Sequence, residues 1–261
     1  MPIPTLFVSH GAPTLALEHG PAATFFAGLP ARIPRPEAIV VVSAHWETGH
    51  PAVTGSASPE TIHDFYGFPA PLYDLVYPAP GDPALAGRVR EMLGALDASA
   101  AVDPHRGLDH GAWQFLRLMW PEASIPVLQV SLRAGRGPAE HYALGRALSA
   151  LADLGVLVIG SGGITHNLRE FRGAAADTPA PPWVDAFADW VAERLTAGDD
   201  EALLDYRRQG PEAARNHPTE DHLLPLFVAM GAAGAARRAT RLHRSTSYRV
   251  LRMDAWAFEA V

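Results

Sequence analysis

Five histidines stand where a short apolar run gives way to glycine, proline or polar residues: His10 in LFVSHGAP, His45 in IVVVSAHWE, His110 in LDHGAW, His166 in VLVIGSGGITHN and His222 in HPTEDHLLPL. Imidazole is the commonest metal ligand and the commonest general acid/base near neutral pH. Three of these segments, those of His10, His45 and His166, begin as β-branched runs of the kind that form buried parallel strands. In open α/β sheets ligands collect outside the carboxyl ends of such strands. Several imidazoles converging on one sheet edge point to a mononuclear metal site.

The elements that must position them follow from the apolar pattern. Strands are expected over 5–9, 38–43, 126–131 and 156–160, each a short apolar run rather than an alternating one, as suits strands covered on both faces. Helices are expected over 83–96, 111–119, 139–154, 182–197 and 222–234, with a late strand over 247–253. The alternation predicts an α/β fold with a mostly parallel central sheet and helices on both faces. Proline and glycine clusters at 67–83, 135–138 and 178–182 punctuate loops, and no linker divides the chain, so residues 1–261 read as a single domain.

Each histidine has a structural reading beside its chemical one. His10 precedes Gly11, Ala12 and Pro13, a tight turn that an isolated histidine could merely cap. His45 changes that balance: two strand-end histidines on neighbouring strands can point into one crevice and share a metal. Around His166 the run Ser161, Gly162, Gly163 lets backbone approach a ligand closely. The same run also reads as a strand-to-helix turn capped by Thr165 or Asn167. It lacks the Gly-Lys-Ser/Thr ending of a phosphate loop and is no dinucleotide fingerprint. His110 opens a helix behind Asp109, which either caps that helix or orients an imidazole. In NHPTEDHLLPLF the acidic pair suits a helix N-terminus, and spacing leaves Glu220, Asp221 and His222 all open as ligands. His63, in TIHDFYGFP with Tyr66 and Phe68, belongs to an aromatic loop able to wall a planar substrate. His19, His50, His105, His141 and His243 read as surface residues. Arg106, Arg169 and Arg215 lie near these segments and could pair with a substrate carboxylate.

Composition narrows the chemistry. The 261 residues contain no cysteine, which removes disulfides, thiolate nucleophiles and iron–sulfur ligation and leaves His, Asp and Glu as metal ligands. The net charge of -7 offers no basic footprint for nucleic acid or an anionic membrane. The start, MPIPTLFVSHG, has neither the apolar length nor the basic flank of a signal peptide, and no apolar run reaches membrane-spanning length, so a cytoplasmic protein is expected.

Six segments, in order, cover nearly the whole chain: LFVSHGAPTLALE, PEAIVVVSAHWET, TIHDFYGFPAPLYDLVYPAPGDPALA, GLDHGAWQFLRLMWPEASIPVLQVSL, VLVIGSGGITHNLRE and PTEDHLLPLFVAMGAA. Together they resemble the class III extradiol ring-cleavage dioxygenases, and more closely their DOPA 4,5-dioxygenase branch. The resemblance implies a mononuclear non-haem iron(II) site that takes a small-molecule catechol and O2 and opens the ring beside the two hydroxyls. It implies His10 and His45 as metal ligands, with His222 third where protocatechuate-cleaving relatives place a glutamate. Glu220 is the competing third ligand. His166 would be the catalytic acid/base, or a further metal ligand when zinc is bound, and His110 a second catalytic histidine. An all-imidazole site also suits zinc, so zinc is expected in the purified protein and iron(II) for activity. Two other readings compete: a zinc-dependent hydrolase or amidase on the same scaffold, and a non-enzymatic metal-binding module. The sequence selects neither the catechol nor an oligomeric state.

Overall fold

A computed structural model describes residues 3–260; Met1, Pro2 and Val261, the ends of the expected 1–261 domain, lie outside the described residues. The strands are β1 (Thr5–Ser9), β2 (Ala38–Thr48), β3 (Ala52–Thr54), β4 (Ala101–Asp103), β5 (Val127–Arg133), β6 (Val156–Gly162), β7 (Arg237–His243), β8 (Thr246–Ser247), β9 (Leu251–Arg252) and β10 (Ala255–Ala260). The helices are α1 (Pro21–Gly28), α2 (Pro83–Leu96), α3 (His110–Met119), α4 (Pro138–Ala147), α5 (Pro182–Ala197), α6 (Asp200–Leu204), α7 (Tyr206–Gln209), α8 (Ala213–Asn216) and α9 (Leu224–Ala232).

Eight strands form one sheet in the order β4-β3-β5-β2-β6-β1-β10-β7. Its centre, β5-β2-β6-β1, is parallel throughout, and antiparallel pairings occur only where β3 meets β5, β10 meets β1 and β7 meets β10. The central strands are apolar on both faces because both are covered. Phe7, Val40, Val42 and Val158 face one core with α2, α4, α5 and α9. Leu6, Val8, Ile39, Val41 and Ile159 face the other, with α1 and α3. Successive residues of one strand thus serve opposite cores, as the two-residue period of a strand requires.

Helix boundaries follow local chemistry. Pro83 opens α2 behind Asp82, whose carboxylate accepts from the Leu85 amide at 2.9 Å. Pro182 opens α5, and Gly198 closes it at φ 69°. The helix expected over 139–154 ends at Ala147 and continues as a 3-10 turn over Ser149–Leu154. The strand expected over 247–253 is a small hairpin, β8 and β9, because Tyr248 and Arg249 take positive φ and turn the chain. The sheet strand lies just beyond it, in β10.

Two features prepare the site. First, β2 outgrows its apolar run: between Val42 and Glu47 its register against β5 slips, five steps on β2 matching the two from Val130 to Leu132. The resulting bulge over Ser43–Trp46 turns His45 out of the ladder. Second, the segment before α9 lies flush on β6. A Cβ at Gly162 would come within 2.1 Å of the His222 carbonyl oxygen, and the Gly163 amide donates to that oxygen at 2.8 Å. Glycine is required there for contact, not for turning.

Candidate active site

The parallel strands deliver their carboxyl ends to one edge, and four segments meet there. His10 follows β1, His45 sits in the β2 bulge, His166 follows β6 and His222 leads into α9; His110 opens α3 beside them. Ligand-capable nitrogens of His10, His45 and His222 lie within 4.8 Å of one another. The His45 and His10 Nε2 atoms are 3.0 Å apart.

The partners behind these rings fix which nitrogen faces the centre. The Ser161 hydroxyl donates to the Gly111 carbonyl, so it accepts from His10 Nδ1, at 2.9 Å, and His10 Nε2 carries a bare lone pair. Asp221 accepts from His222 Nδ1 in the same way, and His222 Nε2 is buried without a protein partner. His45 turns Nδ1 toward Asp64 Oδ2 at 3.6 Å. A bare nitrogen facing another at 3.0 Å, beside a third that has no partner, needs a cation or a shared proton among them. Burial, reinforced by the neighbouring imidazoles, pushes the His10 and His222 pKa values well down. Burial, with His110 close by, lowers His45 to about 3, against the opposing charge of Asp64. Neutral imidazoles with inward lone pairs are the form a metal takes.

His110 and His166 stand apart from that triad. The carboxylate Oδ1 of Asp64 accepts both the His110 amide, at 3.0 Å, and its Nδ1, at 2.9 Å. Burial pushes the Asp64 carboxyl up, but the bonds from His110 outweigh it and hold it at about 2. The His166 ring lies face to face on His222, centroids 3.4 Å apart and planes within 4°. Burial lowers His166 to about 4, partly opposed by Asp221. In front of the five histidines opens a cavity of about 380 Å³, walled largely by apolar groups including Phe65, Phe68 and Leu251.

Comparison with known proteins decides the family. The family described as the catalytic LigB subunit of aromatic ring-opening dioxygenase matches residues 4–255. The chain belongs to this family. A protein of Beta vulgaris named 4,5-DOPA dioxygenase extradiol is 42% identical over 258 residues, covering 97% of this chain and 96% of that one. A protein of the same name from Escherichia coli (strain K12) is 40% identical over 233 residues, covering 88% and 85%. The crystal structure of an uncharacterized protein from Escherichia coli K12 matches with a TM-score of 0.78 at 32% identity, covering 98% of this chain and 99% of that chain. The chain is a class III extradiol ring-opening dioxygenase, an oxygenase of small molecules that works with a non-haem metal and O2. Membership sets aside the hydrolase and the non-enzymatic module. Among the described residues no helix is long and apolar enough to cross a membrane.

Within this dioxygenase the other sequence-derived candidates find their places. Glu220 turns away from the site: its Oε1 accepts from Tyr206 at 3.0 Å and faces Arg207 at 3.9 Å. Asp109 makes no cap bond. It is fully buried, accepting from Ser43, Gln129 and Arg106 at 2.7, 2.8 and 3.0 Å, and burial raises its pKa. It thereby braces the β2 bulge, because the same Ser43 hydroxyl accepts from the His45 amide at 3.2 Å. His63 packs behind the wall, its Nε2 bonded to the Leu75 carbonyl at 2.9 Å, while Phe65, Tyr66 and Phe68 line the cavity. His141 is corrected from surface to core. It is fully buried, accepts from the Arg133 amide at 3.1 Å and donates to the Gly137 carbonyl at 2.9 Å. Asp64 was missed. Its signal, an acidic residue beside His63 in an aromatic loop, became meaningful only once the fold set it between His45 and His110.

Proposed function

We propose that this enzyme opens a catechol ring in the extradiol manner at an iron(II) ion held by His10, His45 and His222. The observation that carries the reading is the convergence of nitrogens from three imidazoles facing an apolar cavity, with Nδ1 of His10 and of His222 each held by a hydrogen-bond partner and Nε2 turned inward. Bound there, iron(II) would acidify the catechol hydroxyls and bring an electron-rich ring and O2 within reach of each other. The donor set is all imidazole, which suits zinc as well, so zinc is the metal expected in protein purified without added iron.

The chain's own groups supply the proton handling. His166, kept neutral by burial, takes a hydroxyl proton from the catechol, and Asp221 stabilises the imidazolium that forms. His110 is pinned by Asp64 through Nδ1, so its Nε2 is the atom left to hydrogen-bond substrate or oxygen. The aromatic wall keeps water from the opening ring. Overall, both atoms of O2 enter the product as the carbon–carbon bond beside the two hydroxyls breaks, leaving a carboxyl on one carbon and an aldehyde on the other.

DOPA, named in the relatives of Beta vulgaris and Escherichia coli, is the first substrate to try. Metal-free protein loaded with iron(II) under nitrogen is mixed with DOPA or an unsubstituted catechol in aerated buffer. Oxygen uptake with a rising yellow band is expected. No uptake with any catechol, at confirmed iron occupancy, overturns the proposal.

A further inference from the structure

His45 stands outside the sheet ladder, so its backbone has to be held by other groups. Pairing of β2 with β6 ends at Ser43, and pairing with β5 passes from Val42 to Glu47, so neither register includes His45. Backbone amides and carbonyls freed by a bulge need partners elsewhere. The Ser43 hydroxyl accepts from the His45 amide at 3.2 Å and donates to Asp109 Oδ1 at 2.7 Å. Arg106 donates to the His45 carbonyl at 3.3 Å and to Asp109 Oδ2 at 3.0 Å. Asp109 thus closes a ring of bonds around both backbone polar groups of one residue.

That ring is anchored from several sides. The Asp103 carboxylate accepts from the Arg106 amide at 3.0 Å, and the Arg106 guanidinium carbon lies 4.7 Å from the centre of the Trp46 ring. Gln129, on β5, accepts from the Asp109 amide and donates to Asp109 Oδ2, both at 2.8 Å. The first turn of α3 closes on the same place: a Cβ at Gly111 would come within 2.4 Å of Ser43 Oγ and 2.9 Å of His45 Cδ2. The His45 imidazole itself is held more loosely than its neighbours. Its Nδ1 stands 3.6 Å from Asp64, whereas Nδ1 of His10 and of His222 each has a hydrogen-bond partner. What a ring partner fixes for those two, the backbone must fix for His45.

We infer that Arg106, acting with Asp109, is the positioning residue for His45: by gripping the backbone of the β2 bulge it sets where this imidazole enters the metal site. The inference rests on the three-histidine site proposed above and goes beyond it. It also gives Arg106 a use other than pairing with a substrate carboxylate. The guanidinium is largely buried, and its Nε has no partner. An arginine placed for its own hydrogen bonding would not leave that donor idle; here its position is dictated by the two acceptors it joins.

The test reads the metal site without turnover. Zinc affinity is measured by competition with a chelator, and the visible bands of the cobalt(II)-loaded protein report the ligand geometry. Arg106→Met keeps an apolar stem beside Trp46 and removes both donations. It is expected to weaken zinc about tenfold or more and to change the cobalt(II) bands, while the far-ultraviolet circular dichroism stays that of the parent. Asp109→Asn keeps the size of the anchor and removes its charge. It is expected to move both readouts in the same direction, and it decides the matter alone if Arg106→Met does not fold. Parent-like zinc affinity and cobalt(II) bands in the folded variants overturn the inference. His45→Ala separates this outcome from failure of the site itself. If His45→Ala loses zinc while the other variants keep it, only the positioning role falls. If His45→Ala also binds zinc as the parent does, the three-histidine site falls with it.

Discussion

The Ser161 hydroxyl accepts from His10 Nδ1 while giving its own hydrogen to the Gly111 carbonyl, and this relay fixes the tautomer of His10. One small side chain on β6 thus decides that the nitrogen facing His45 and His222 is a bare lone pair. Partners of this kind typically matter about 10- to 100-fold in metal affinity. Ser161→Ala is expected to weaken metal binding within that range, measured by competition with a chelator. His10→Ala is expected to lose stoichiometric metal altogether while the far-ultraviolet circular dichroism stays that of the parent. Full metal occupancy in His10→Ala would remove it from the ligand set.

Asp64 is the only carboxylate that the structure sets between His45 and His110 among the described residues. Asparagine there keeps the size and removes the charge that both rings face. A fall in kcat/KM of about 10- to 100-fold is expected for Asp64→Asn. Parent-like kinetics would reduce Asp64 to a loop anchor.

His166 lies on the face of His222 rather than in the group of three converging nitrogens. His166→Ala is therefore expected to keep its iron(II), counted by elemental analysis, and to lose turnover by roughly 10²-fold or more, as for a missing acid/base. Loss of the metal with the activity would instead make it a ligand. Retained turnover would pass the base role to His110.

A pH dependence of stability follows from His217, which is buried, donates Nε2–H to the Ile164 carbonyl at 2.8 Å, and has no partner for Nδ1. Burial lowers its pKa to about 4, with the Ile164 bond and Asp221 opposing and His166 and Arg207 assisting. The unfolded chain therefore binds the proton first. The stabilisation is complete above about pH 6.5 and is lost as pH falls toward 4. By pH 5 the loss amounts to roughly 2 kcal/mol. Urea unfolding at pH 7 and pH 5 is expected to show a larger drop for the parent than for His217→Gln. Equal drops would mean that His217 is protonated in the folded protein.

Much of the scaffold was legible because its signals are local. Thr5–Ser9 falls where its apolar run puts it, and Pro83–Leu96 and Pro182–Ala197 fall where their helical apolar patterns put them. The elements that escaped are those whose pattern is set by neighbours. Arg237–His243 reads as a charged segment because it is a sheet edge, with Arg238 and Arg241 exposed along it. The hairpin over 246–252 depends on a turn through Tyr248 and Arg249 that neither residue type favours. His141 looked like any polar residue on a helix until the Arg133 amide and Gly137 carbonyl were found on either side of it.

For the site, the sequence by itself determined the ingredients: imidazoles in place of thiols, each at the end of an apolar run, and the family that this ordered set resembles. Only the tertiary structure decided the arrangement. Glu220 and His222 are two residues apart, and spacing treats both as ligands. The close seat of the segment on Gly162 turns His222 toward His10 and His45, while Glu220 goes to Tyr206. Asp64 acquires its place between two histidines 19 residues before it and 46 after it, through the β2 bulge and the start of α3. A chain pattern reports which faces must be buried, because burial is periodic along a strand or helix. It carries no record of which side chains from distant segments meet, and the chemistry here lies in that meeting.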